Sequence, residues 1–79
     1  MTETYSFQTS SNQTISVGDS LSQLIERIGQ SPDSMKSTPW QEGEKTINAA
    51  QYEYTIGENI YSITVVDHQV RKIEYRKNS

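Results

Sequence analysis

Apolar residues in this chain recur with two periods, and the change from one to the other marks the elements. Near the N-terminus Tyr5, Phe7, Ile15 and Val17 all carry odd numbers, with polar residues between them. A turn centred on Ser10-Ser11-Asn12 sets Phe7 opposite Ile15 and Tyr5 opposite Val17. All four then share one face, which predicts an antiparallel hairpin over 5–17. From Leu21 the period lengthens, and Leu21, Leu24, Ile25 and Ile28 form a single helical stripe. Gly18-Asp19-Ser20 ends the strand and opens the helix. Ser20 and Gln23 fit a capping box, with Asp19 as the alternative N-cap and a negative charge at the helix's positive end. Gly29 suits the left-handed residue after the last turn, and Pro32 bars continuation. The predicted helix, 20–28, is too short to stand alone and must pack on a sheet.

Residues 30–50 follow neither period. They read as a polar loop, either mobile or holding a short element around Trp40 or Ile47 to Ala50. The last third, 51–76, alternates again. Tyr52, Tyr54 and Ile56 interleave with Gln51, Glu53 and Thr55. Tyr61, Ile63 and Val65 interleave with Ser62 and Thr64, and Arg71, Ile73 and Tyr75 with Lys72, Glu74 and Arg76. A turn at Glu58-Asn59 sets 56 against 61, 54 against 63 and 52 against 65. A turn through His68-Gln69-Val70 sets 65 against 73 and 63 against 75. The parities agree, so the segment reads as a three-stranded meander with one buried face. The other face, with Glu53, Thr55, Ser62, Thr64, Lys72, Glu74 and Arg76, reads as solvated unless a partner covers it. The predicted fold class is α+β: one domain over 1–79, with one short helix packed on an antiparallel sheet in the order β-β-α-loop-β-β-β.

Composition narrows the function classes. A chain of 79 residues holds one core and buries roughly 60–65% of its unfolded surface. It has no cysteine, which removes disulfides, thiolate metal sites and Cys nucleophiles while leaving the compartment open. Hydrophobic residues are only 32%, and five tyrosines supplement them as core and half-core groups. The net charge of −3 lacks the basic footprint of a nucleic-acid binder.

Charge is unevenly spread, however. Residues 1–60 carry eight acids against three bases, and residues 61–79 two acids against four bases. Arg71, Lys72, Arg76 and Lys77 read as protection of an edge strand, or as a small patch for an anionic partner. No stretch approaches the ~20 apolar residues of a membrane span. Met1-Thr2-Glu3-Thr4 has no basic start or apolar run, so the expectation is a cytosolic chain or a mature form without its leader.

Catalytic constellations are not legible. His68, the one histidine, stands beside Asp67 in a predicted turn, a composition common in turns, and neighbours there point apart. The carboxylates Asp33, Glu42 and Glu44 lack calcium-loop spacing. The four glycines punctuate separate turns rather than forming a phosphate loop. Asn12-Gln13-Thr14 matches a glycosylation acceptor, a motif short enough to recur by chance. The expectation is a non-enzyme with no cofactor and no metal. Trp40 is the most informative residue: it either caps the small core or anchors a partner, tryptophan being enriched at interface hot spots. The candidate binding residues are Trp40, Tyr52, Tyr54, Arg71, Lys72 and Arg76. The outward sheet face or its edge strand is a second route, by strand addition.

The order of a strand, Val17-Gly18-Asp19-Ser20, a short helix, Gly29, Pro32, a loop, Tyr52-Glu53-Tyr54, then Val70, Ile73 and Tyr75 resembles a group of small secreted bacterial proteins of unknown function. More distantly it is similar to the barrel-assembly lipoprotein BamE (the SmpA/OmlA type) and to β-lactamase-inhibitor-like domains. The resemblance runs from about Phe7 to Tyr75 through fold-forming positions. Thr9 and Ile28 stand roughly where the first group carries cysteines, and no lipid-attachment cysteine is present. The resemblance implies a periplasmic or secreted envelope domain that binds another protein; the expected state is a monomer or weak dimer. Inhibition of a secreted enzyme is the alternative expectation, and small-molecule binding or enzymatic work a further one.

Overall fold

Seven strands and one helix make up the computed structural model, which describes residues 1–79. In chain order they are β1 (Thr2–Thr4), β2 (Ser6–Gln8), β3 (Thr14–Ser16), α1 (Leu21–Ile28), β4 (Ser34–Glu42), β5 (Lys45–Ile56), β6 (Asn59–Val66) and β7 (Gln69–Lys77). Five strands form one antiparallel sheet in the order β1-β7-β6-β5-β4, and β2 and β3 pair as a separate ribbon. The chain is therefore α+β, with one short helix and a mainly antiparallel sheet.

The helix and the ribbon cover one face of the five-stranded sheet. Leu24 and Ile28 of α1, Phe7 and Ile15 of the ribbon, and Tyr54, Ile63, Val65, Val70 and Ile73 of the sheet share a single buried cluster. Phe7 stacks on Tyr61 with ring centroids 4.0 Å apart. Local chemistry sets the helix as the sequence predicts. The Ser20 hydroxyl accepts from the Gln23 N–H, the Gln23 side chain accepts from the Ser20 N–H, and Gly29 ends the helix at φ 66°. The residues before it form a ladder along the start of β7. Gly18 N–H donates to the Val70 carbonyl and Val70 N–H to the Asp19 carbonyl, both at 2.8 Å, and Leu21 N–H donates to the His68 carbonyl at 2.7 Å.

Several expectations are corrected. Residues 30–50 hold more than a loop with a short element: β4 and the first part of β5, which take in Trp40 and Ile47 to Ala50, form a hairpin through the two-residue turn Gly43-Glu44, with Trp40 opposite Ile47. β4 is the edge of the sheet and is exposed along most of its length, so it carries no alternation to read. β1 is a further strand, so the order is β-β-β-α-β-β-β-β. The β5–β6 turn is Gly57-Glu58, which sets Tyr54 against Tyr61 and Tyr52 against Ile63. The β6–β7 turn is Asp67-His68, which sets Ile63 against Ile73 and Tyr61 against Tyr75. In the N-terminal hairpin Phe7 does face Ile15. Tyr5 also faces Val17, whose N–H donates to the Tyr5 carbonyl at 2.9 Å, but the Tyr5 side chain is 69% exposed rather than on the buried face. On the helix Ile25 is 59% exposed, because Leu24 and Ile28 take the buried positions. β7 is flanked by β6 and by β1, and β1 pairs only with Ile73 to Tyr75, so Arg71, Lys72, Arg76 and Lys77 lie to either side of the covered stretch.

Candidate functional site

The helix-free face of the sheet carries the densest group of functional side chains. The pairing of β6 with β7 shifts register between Thr64 and Val65: Thr64 faces Lys72, and Val65 faces Val70. Arg71 is the extra residue of this bulge, and it stands beside Lys72 on the open face, since Val70 and Ile73 occupy the core. From β7 the Arg71 side chain reaches across to β4. Its Nη1 donates to Glu42 Oε1 at 3.2 Å and its Nη2 to Oε2 at 3.4 Å, and its guanidinium carbon lies 5.5 Å from the Trp40 ring centroid. The Trp40 indole N–H donates to the same Glu42 Oε2 at 3.3 Å. β5 and β6 run between β4 and β7, so the trio bridges over them. Ala49 and Val66 on those strands are buried although no helix covers this face.

Each member holds the others. The two-pronged guanidinium fixes both carboxylate oxygens, and the ring face meets the delocalised cation. Arg71, and after it the indole N–H, draw the Glu42 carboxyl below its ordinary 4.5. The indole is thus held in a part-buried position: Trp40 is neither core nor fully exposed.

Further along the same face Arg76 pairs with Glu53 at 3.3 Å and Lys72 with Glu74 at 3.7 Å. Ser62 donates to Glu53 at 3.4 Å. Ser62 and Thr64 are buried rather than solvated, because the long charged side chains of the neighbouring strands fold over these short ones.

Trp40, Arg71, Lys72 and Arg76 of the candidate residues therefore share the open face, and Trp40 and Arg71 touch. Tyr52 and Tyr54 lie on the helix-covered face. Tyr54 is 2% exposed and presents nothing to a partner; burial raises its phenol above the usual 10.0. Tyr52 lines a shallow cleft of about 340 Å³ with Leu21, Asn48, Ala50, Val65, Asp67 and His68. Asp67 and His68 form the turn there, at φ 50° and 65°, both exposed. They make no side-chain hydrogen bond to each other, so no acid–base pair is assembled.

What sequence reasoning missed is Glu42 as the hub of the trio. The signal present was Trp40-Gln41-Glu42 before a Gly-Glu turn: alternate residues of a strand share a face.

No group of His, Cys, Asp and Glu side chains is gathered that could hold a metal ion, and no helix is long and apolar enough to cross a membrane. Comparison with protein-family models, with curated proteins and with solved structures finds no match.

Proposed function

We propose that this chain is a non-catalytic binding module that docks another protein on the open face of its sheet, with Trp40 as the anchor. One observation carries this: a part-buried indole, held by Arg71 and Glu42, stands on a sheet face that no helix covers. Pre-ordered aromatic and Arg groups lose little freedom on binding, which is why such residues dominate interface energetics. The proposed setting is the bacterial envelope, supported by the resemblance of the Val17-Gly18-Asp19-Ser20, helix and Gly29 pattern.

The test compares wild type with Trp40→Ala. Affinity capture from an envelope extract is quantified for each, and thermal unfolding is followed by circular dichroism. Unchanged melting with at least tenfold weaker capture supports the anchor. A melting temperature lowered as far as by a core truncation would instead make Trp40 a structural cap.

Inhibition of a secreted enzyme is the second reading. It is favoured by the Gly43-Glu44 hairpin tip, an ordered protrusion within the segment 30–50. Capture that depends on the tip and not on Trp40 would support it.

A further inference from the structure

We propose that β4 pairs antiparallel with β4 of a second copy of this chain, centred on Pro39, so that two five-stranded sheets join into one. The edges of the sheet differ. β1 offers three residues, whereas β4 offers nine, a long free edge of the kind proteins usually blunt.

The pattern of free backbone groups follows from the turn. In a two-residue hairpin the flanking pair, here Glu42 and Lys45, exchanges both backbone bonds, and bonded pairs then alternate. Ser34, Lys36, Thr38, Trp40 and Glu42 thus spend their backbone groups on β5. Met35, Ser37 and Gln41 present theirs to the open edge, and Pro39 presents a carbonyl only.

A two-fold axis at Pro39 places the two prolines opposite each other, which confines their missing donors to one position. On either side Ser37 meets Gln41 of the second copy, where both backbone bonds form. On the open face Lys36 then meets Glu42 of the second copy, and Thr38 meets its Trp40. These are the closely spaced, non-bonded pairs of an antiparallel ladder, in which side chains interact most strongly.

The charges are self-complementary, since the axis generates the Lys36–Glu42 pair twice. Lys36 is exposed and its ammonium makes no ion pair within the chain. Glu42, although held by Arg71, keeps 48% of its side chain open to a second cation. Symmetry of this kind also suits a two-fold interface, where one strip of surface must match itself.

Sedimentation equilibrium of the purified full chain, from about 10 μM to about 1 mM, spans the range in which an edge contact of this size would associate. The expected result is a monomer–dimer equilibrium. Lys36→Glu and Glu42→Lys should each weaken it about tenfold, because two symmetric pairs are lost at about threefold each. The double reversal re-forms the intermolecular pair and should be tighter than either single variant, but short of wild type, because it also removes the carboxylate that holds Arg71 and Trp40.

Far-ultraviolet circular dichroism checks that each variant keeps its fold. A chain that stays monomeric throughout overturns the proposal, as does a double variant no tighter than the singles. Either result leaves the docking of a different protein on Trp40 untouched, because that is read from capture and not from self-association.

Discussion

At the scale of single residues, burial decides what each side chain is worth. Leu24 is completely enclosed, whereas its neighbour Ile25 is 59% exposed. Leu24→Ala should lower unfolding stability by about 3 kcal/mol, the transfer loss plus the cavity left behind. Ile25→Ala should stay within about 0.5 kcal/mol, and urea denaturation of the two variants checks the contrast. The apolar stripe of the helix was legible in the sequence, but its true centre was not. Periodicity shows which residues share a helical face, and the neighbouring ribbon decides how far that face turns.

Glu42 supplies a pH-dependent effect. Its native pKa lies below the ordinary 4.5 because the carboxylate is held by Arg71 and by Trp40. The unfolded chain therefore takes up the proton first as the solution is acidified. The stabilisation is complete above pH 4.5 and is lost as pH falls through the lower native value. Trp40, the one tryptophan, reports this directly: its fluorescence should show a step below pH 4.5 that Glu42→Gln removes. An unchanged step in Glu42→Gln would assign the titration elsewhere.

At the scale of elements, turns set which residues face which. Asp67 and His68 both sit at positive φ, a conformation that costs an L-residue roughly 1–2 kcal/mol and that Asn and Gly tolerate better. Asp67→Asn with His68→Gly should therefore raise stability by about 1 kcal/mol, seen as a melting temperature higher by roughly 4–8 °C.

The strands of the meander were legible because their apolar residues alternate cleanly, but their registers were read two residues out. Placing the turn at Glu58-Asn59 instead of Gly57-Glu58 moves every pairing by two and keeps each side chain on its own face. Alternation cannot detect that slip. β4 was illegible for a different reason. Only Thr38 and Trp40 are part-buried along it, and Pro39 stands within it. Proline is tolerated there because an edge position needs no inward donor. Gly43-Glu44 repeats the Gly-Glu of the next hairpin, and that was the one trace of β4 in the sequence.

At the scale of the whole molecule, two layers enclose a core too small to reach under all of the sheet. The ribbon and helix pack over β5, β6 and β7, and the β4–β5 hairpin extends beyond them, giving overall dimensions of 38 × 27 × 20 Å. The candidate site could not be foreseen as a unit. Trp40, Glu42 and Arg71 come together only through the strand order and a bulge, and neither leaves a signature in local sequence.

The short ladder of Gly18, Asp19 and Leu21 against His68 and Val70 has a mechanical consequence. It welds the entrance of the helix to the final hairpin, so the helix cannot fray from its first turn while the last strand stays in place. Chain segments far apart in sequence thereby become one cooperative folding unit, and damage at either seam is felt at the other.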